Sequence, residues 1–247
     1  MTIDSLPLSV CGEYRCLSNL DLYNAPTGGN LATQAARGRQ LRVLRDTATA
    51  EAVRVQLCED DYQAWLRYPL LSQLASAQFV YEAVAVSRGE IERRLPDVMA
   101  FAIAACEQQN CYLWGGTVAP NYDCSGLMQA AFGSVGVWLP RDAYQQAAWV
   151  EQITWEAMQP GDLIFFQKGS YISHVALYLG DNRYIHSSGR DMGRDGIGID
   201  ELSDRNPVSQ AYYKQRSHAG RVVASFLPGT LLPTNREDFQ LSVIKGQ

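Results

Sequence analysis

One cysteine and two histidines, far apart in the chain, are of the types that thiol acyl transfer needs. Cys124 stands in Asp123-Cys124-Ser125-Gly126, His174 in Ser173-His174-Val175 and His186 in Ile185-His186-Ser187. A thiol beside an imidazole can attack a carbonyl carbon, provided a third polar group orients the imidazole. The imidazole takes the thiol proton and later returns it to the leaving amine. The chain has 3 His and 6 Cys. Cys11, Cys16, Cys58, Cys106, Cys111 and Cys124 form no Cys-x-x-Cys pair, and their spacing to His fits no zinc pattern. A Cys-His-His zinc site would lack a fourth ligand. No metal and no cofactor are expected, and in a reducing compartment most of these thiols are expected to be buried.

The elements that must position these residues are partly readable. Asp123 and Ser125 flank Cys124 just ahead of the apolar run Leu127–Phe132, with Gly133 and Gly136 as stops. That is a helix-start signature, so Cys124 should occupy the first turn. There the unpaired N–H groups and the positive end of the helix dipole lower a thiol's pKa and offer donors to an oxyanion. Leu163-Ile164-Phe165-Phe166 reads as a buried strand after the turn Pro160-Gly161-Asp162. Ser173–Leu179 and Arg183–Ser187 read as two strands around Gly180-Asp181-Asn182. Placing His174 directly opposite His186 centres the loop on Gly180 and requires an odd number of loop residues, which is the expectation. A two-residue Asp181-Asn182 turn would set His186 opposite Leu177 and break the pair unless a bulge restored it. With the pair formed, His174 is the base and His186 fixes its tautomer and orientation.

Composition bounds the rest. At 247 residues and 47% hydrophobic, the chain can bury one large core or two small ones, and 19% charged residues is too few for disorder. A net charge of -5 gives no electrostatic case for nucleic acid or an anionic membrane surface. No apolar run approaches the ~18 residues of a membrane span. The opening MTIDSLPLSVCGEYRC lacks the basic and apolar regions of a secretory leader, which points to the cytoplasm.

Two domains are expected. Residues 12–80 are short and β-like: Leu20-Asp21-Leu22-Tyr23, then Gly38–Leu44, then the cleaner alternation Ala52–Leu57, then Tyr62–Leu66. Strands at this spacing predict a small barrel. Residues 81–95 read as a linker, with a break at Ser87-Arg88-Gly89. Leu95-Pro96 then opens a helix with Pro near its first turn, running to about Gln109. Its apolar face is Met99, Ile103 and Cys106, or Ala102 and Ala105. The second domain covers 96–230 and a tail 231–247. His218, in the polar segment Lys214–His218, reads as a surface or loop residue.

The first segment, through "LDLYNAP", "LATQAARGRQLRVL" and "AVRVQLCEDDYQAWL", resembles a bacterial SH3-like domain, with Ala64 where that family often has Gly. Residues 112–188 resemble the NlpC family of papain-like bacterial cell-wall peptidases, through "YLWGG", "DCSGLMQAAF", "LPRDAYQQ", "QPGDLIFFQ" and "SHVALYLGDNRYIHSS". The resemblance implies an α+β chain: a small N-terminal SH3-like β-barrel, then a papain-like domain whose Cys-bearing helix packs on an antiparallel sheet. It implies Cys124 as nucleophile, His174 as base, His186 as the third polar residue and Tyr112 as an oxyanion contributor. Asp123 and Ser125 would line the substrate cleft. Arg141 is a candidate partner for a substrate carboxylate. Asp142-Ala143 replace the hydroxyl residues common in the family, which weakens a substrate role for that loop.

The order of the two domains resembles cytoplasmic γ-D-glutamyl-L-diamino acid endopeptidases. These cut murein peptides such as L-Ala-γ-D-Glu-meso-diaminopimelate during cell-wall recycling, and their SH3-like domain caps the cleft and favours a free L-Ala amino terminus. Tyr62, beside Asp60 and Asp61, matches the capping role, and Asp123 is the candidate carboxylate for the ammonium group. Other readings stay open: a secreted hydrolase whose SH3-like domain binds wall polymer, a non-catalytic wall-peptide binding module, and an acyltransferase on the same scaffold.

Overall fold

Seven short strands at the N-terminal end share one sheet and one core. They are β1 (Glu13–Cys16), β2 (Leu20–Tyr23), β3 (Leu31–Ala35), β4 (Gln40–Leu44), β5 (Ala52–Leu57), β6 (Gln63–Arg67) and β7 (Leu74–Ser76), in the order β3-β2-β6-β5-β4-β1-β7. These are the coordinates of a computed structural model, which describes residues 3–233. The tail expected at 231–247 lies outside the described residues from 234 onward. Alternation drives the sheet: Val53, Val55 and Leu57 point inward and are fully buried, while Arg54 faces out. They pack on Leu20, Leu22, Leu41 and Leu66.

Helix α1 (Arg88–Glu107) follows and starts earlier than expected, taking in residues 88–95 of the segment read as linker. Ser87 and Glu90 form a capping box, the side chain of each meeting the backbone of the other. Pro96 sits inside the helix, on its exposed side, where water can satisfy the carbonyl that the missing N–H leaves free. The buried stripe is Ile91, Leu95, Val98, Ala102 and Ala105, and Ile103 is exposed.

A two-stranded ribbon, β8 (Thr117–Val118) and β9 (Asn121–Tyr122), leads into α2 (Cys124–Gly133) and α3 (Ala143–Trp149). The second sheet contains β10 (Glu151–Ile153), β11 (Leu163–Lys168), β12 (Tyr171–Gly180), β13 (Arg183–Ser188), β14 (Gly196–Glu201) and, after α4 (Pro207–Lys214), β15 (Arg216–Arg221). Its order is β10-β15-β11-β12-β13-β14 and all its pairs are antiparallel. Val175, Leu177 and Ile185 face α1, α2 and α3 in one core. Phe166, Ala176, Tyr178 and Tyr184 face the other way, against Tyr212 of α4.

The β12–β13 hairpin departs from expectation. Gly180 pairs with Arg183 across a two-residue Asp181-Asn182 turn, not an odd loop. Both turn residues have positive φ, 51° and 56°, as a type I′ turn requires. The register then shifts between Tyr178 and Gly180, so that Tyr178 pairs with Tyr184 and Leu177 with Ile185. The extra residue restores the parity that the even turn had broken. His174 and His186 therefore share a face as diagonal neighbours rather than as a directly opposed pair. His218 is also corrected: it lies in β15 opposite Phe165 and stacks on that ring at 5.0 Å. Burial pushes it down to about 4. Among the described residues no helix is long and apolar enough to cross a membrane.

Candidate active site

Cys124 is the first residue of α2, and Asp123 is its N-cap, accepting a hydrogen bond from the Gly126 N–H at 2.7 Å. The loop Tyr112–Gly116 is clamped onto this helix start. The Asp123 N–H donates to the Gly116 carbonyl at 3.1 Å, and the Gly115 N–H donates to Asp123 Oδ2 at 2.9 Å. Only glycine fits at 126, because a Cβ there would collide with the Gly116 carbonyl oxygen. The backbone N–H groups of Val175 and Ser125 reach the Cys124 sulfur. His174 is therefore the chain neighbour of a residue that touches the thiol.

His174 Nε2 lies 2.7 Å from His186 Nδ1, and His186 Nε2 lies 2.8 Å from Asp200 Oδ2. Arg194 Nη2 donates to both Asp200 oxygens, at 2.7 and 2.8 Å. With Nε2 engaged, Nδ1 is the His174 nitrogen left for the thiol. The rings are held by packing: Tyr212 lies 4.5 Å from His174 and 4.8 Å from His186, and its hydroxyl meets Ser188 Oγ at 2.6 Å. Sequence reasoning missed Asp200, Arg194 and Tyr212. The signal for Asp200 was the alternation in Gly196–Glu201, which puts it two residues beyond Gly198, the partner of His186 in the ladder. Nothing local marked Arg194 or Tyr212, which arrive through a turn and a helix with no strand register to read.

The cleft has two halves. One, of about 200 Å³, is lined by Cys124, Asp123, Ser125, Asp142 and Tyr144 together with Leu31 and Ala32 of β3 and with Asn24 and Tyr62 at the ends of β2 and β6. The other, of about 350 Å³, is lined by His174, Lys168, Tyr171, Asp191, Tyr212 and Gln215. Tyr112, Trp114 and Ser173 line both halves. Ser173 is the extra residue of a bulge, since Phe166 pairs with His174 and Gln167 with Ile172. The fold thus brings Cys124, His174, His186, Tyr112, Asp123, Ser125 and Tyr62 together. Arg141 is different. It is 1% exposed, lies outside the lining of both halves, and spends its donors inside the protein. Nη2 meets Asp123 Oδ2 at 2.6 Å, Nη1 meets Asp123 Oδ1 and Ser125 Oγ at 3.1 and 3.0 Å, and Nε meets Thr33 Oγ1 at 2.9 Å. The expected meeting with a substrate carboxylate gives way to a buried structural link. Asp142, whose place in the loop argued against a substrate role, does line the cleft.

The protonation pattern also differs from the expected low-pKa thiol. Burial pushes Cys124 up to about 12, the Asp123 carboxylate adds to the rise, and the Val175 and Ser125 N–H groups and Arg141 oppose it. Burial holds His174 well below the imidazole range, with His186 adding to the effect. His186 is also lowered by burial, against the hydrogen bond and charge of Asp200. Asp200 is raised by burial but held below its usual range by the bond from His186 and the charge of Arg194. Burial raises Tyr112 as well, and the thiol and Asp123 beside it add to the rise, so it stays a neutral phenol. Burial thus disfavours both the thiolate of Cys124 and the imidazolium of His174.

Residues 109–222 match the NlpC/P60 family, and residues 22–68 match the bacterial dipeptidyl-peptidase Sh3 domain. The protein named probable endopeptidase p60 of Listeria monocytogenes is 38% identical over 86 residues, 35% of this chain and 18% of that one. Dipeptidyl-peptidase 6 of Lysinibacillus sphaericus is 38% identical over 98 residues, 39% of this chain and 33% of that one. The Escherichia coli protein named murein DD-endopeptidase MepS/murein LD-carboxypeptidase is 31% identical over 115 residues, 46% of this chain and 56% of that one. The chain thus spans from about a fifth to just over half the length of these relatives.

Proposed function

Because this chain belongs, through residues 109–222, to the NlpC/P60 family of cell-wall hydrolases and endopeptidases, we propose that it is a cysteine endopeptidase of murein peptides. Its substrate is a soluble peptide of the L-Ala-γ-D-Glu-diaminopimelate type with a free amino terminus, and the bond cut is the γ-D-glutamyl–diamino acid bond. The work is recycling of wall fragments in the cytoplasm. One observation carries the reading: the half-cleft on the Cys124 side is walled by Leu31 and Ala32 of β3 and by Asn24 and Tyr62 beside the first sheet. A wall there limits how much peptide can precede the scissile bond. It also puts the carboxylates of Asp123 and Asp142 beside the place where an ammonium group would end. An acylated amine would bring neither the charge nor the fit, so intact wall is disfavoured. The relative named dipeptidyl-peptidase 6 and the matching Sh3 domain support a cut two residues from a free terminus.

In this reading Cys124 attacks the γ-carbonyl while its proton passes to His174 Nδ1. The N–H groups at the start of α2 and the neutral Tyr112 phenol stabilise the oxyanion. His174 then protonates the leaving amine, and water releases the acyl group by the same route in reverse. The test is the purified chain with L-Ala-γ-D-Glu-diaminopimelate, with the amino terminus free or acetylated. Cleavage of the free peptide alone, abolished in Cys124→Ala, is expected. Equal cleavage of both peptides would remove the capping role. No cleavage of either, or a Cys124→Ala variant that still cuts, would remove the enzyme.

A further inference from the structure

Two imidazoles in series do not by themselves fix where their protons sit. Each neutral ring carries one N–H, so either His174 or His186 can be the donor across the 2.7 Å contact between them. If His186 donates from Nδ1, then His174 accepts at Nε2 and carries its own proton on Nδ1. The nitrogen left for the thiol is then blocked, and the site holds no base. If His186 carries its proton on Nε2, its Nδ1 accepts from His174 Nε2–H, and His174 Nδ1 is bare. Only the second arrangement can take a proton from Cys124.

We propose that Asp200 is the positioning residue that selects this second arrangement, by accepting the His186 Nε2–H at 2.8 Å and so fixing the tautomers of both rings. An ionised carboxylate can only accept, so a proton is drawn to His186 Nε2 and the polarity of the whole chain follows. Arg194 keeps the carboxylate in that role. Its Nη2 lies within 2.8 Å of both oxygens, and the pair is largely withdrawn from solvent, Asp200 being 6% exposed. The strand is built for this. Gly198 stands opposite His186, and the Arg194 guanidinium occupies the space that a Cβ at 198 would need. Asp200 pairs with Tyr184, so it shares the face of His186 one step along the ladder. The inference rests on the reading of His174 as the base, and not on which peptide is cut.

Histidine-¹⁵N-labelled protein without substrate gives the direct test, because long-range ¹H–¹⁵N correlations distinguish the two tautomers. The His218→Gln variant removes the third set of signals. At neutral pH both His174 and His186 are expected as Nε2–H tautomers, and finding His174 protonated on Nδ1 would overturn the proposal. Asp200→Asn keeps the shape but can accept or donate, so His186 should lose its single tautomer. The kcat on the free peptide should fall about 10²-fold with KM little changed. A variant with unaltered tautomers and wild-type kcat would also overturn the proposal. A purely structural Asp200 would lower the melting temperature and leave the tautomers of the folded fraction alone. Should Asp200→Asn fail to fold, the tautomers of the unmodified protein decide. If no peptide is cut, the proposed function falls while the tautomer result stands on its own.

Discussion

Burial acts on Cys124 and His174 in the same direction. It disfavours the thiolate and it disfavours the imidazolium, so a resting ion pair is opposed from both sides. The helix start supplies the Ser125 N–H to the sulfur, yet the N-cap is itself a carboxylate in the same turn, and its charge works against a second anion. Burial and the charge of the N-cap thus oppose the lowering that a helix start gives a thiol. The sign for reactivity follows. With the thiol pushed up to about 12, the thiolate fraction rises tenfold per pH unit across the neutral and mildly alkaline range. Alkylation of Cys124 by iodoacetamide in the free protein, followed residue by residue by mass spectrometry to separate it from exposed Cys111, should climb with pH from 6 to 9. A rate that is already flat below pH 7 would mean that a thiolate–imidazolium pair exists before substrate arrives.

Two close approaches hold the elements of the site in place, and each predicts a different failure. At Gly126 the obstacle to a side chain is backbone, the Gly116 carbonyl, so Gly126→Ala must push the Tyr112–Gly116 loop off the start of α2. Overpacking of this kind costs about 1–3 kcal/mol, and the variant should lose both stability in urea and activity. At Gly198 the obstacle is the far end of the Arg194 side chain, which can swing away. Gly198→Ala should therefore spare the path of the strand, and its kcat should fall because Asp200 loses its ion pair. A Gly198→Ala variant with wild-type kcat would contradict this division. The same elements show what was legible in the sequence. The strands carrying His174 and His186 and the helix carrying Cys124 follow from alternation and capping, which are local. The hairpin register does not, because parity depends on a turn and a bulge that cancel, and a bulge leaves no mark in the pattern of residues around Leu179. Asp200 lay in a readable strand. Its partner was hidden because the diagonal contact exists only once β13 and β14 are in register.

At the scale of the whole molecule, the first sheet is fixed to the half that carries Cys124 by polar links. Gln34 Oε1 accepts from the N–H groups of Thr117 and Val118 at 3.0 and 3.1 Å. Gln129 Nε2 donates to Asp60 at 2.8 Å, and Arg39 lies 4.8 Å over the Trp138 ring. Arg141 is the deepest of these links. It joins Asp123, next to Cys124, to Thr33 on β3. Its fork satisfies both carboxylate oxygens at once, which a lysine cannot do. Removing the guanidinium leaves the Asp123 carboxylate buried with only the N–H groups of Gly115 and Gly126 and the Ser125 hydroxyl for company. Breaking such a pair by deleting one partner costs about 3–5 kcal/mol, whereas deleting both charges removes most of the desolvation penalty. Arg141→Met should therefore lower the urea midpoint by a corresponding amount. Arg141→Met combined with Asp123→Asn should recover a large part of it, and Arg141→Lys should resemble Arg141→Met more than the wild type. Because the link reaches β3, Arg141→Met should also loosen the wall on the Cys124 side of the cleft, raising KM for the free-amine peptide before kcat falls. A stability loss under about 1 kcal/mol for Arg141→Met would place this pair with exposed ion pairs in its energetics, and the first sheet would then owe its position to the Gln34 and Gln129 contacts instead.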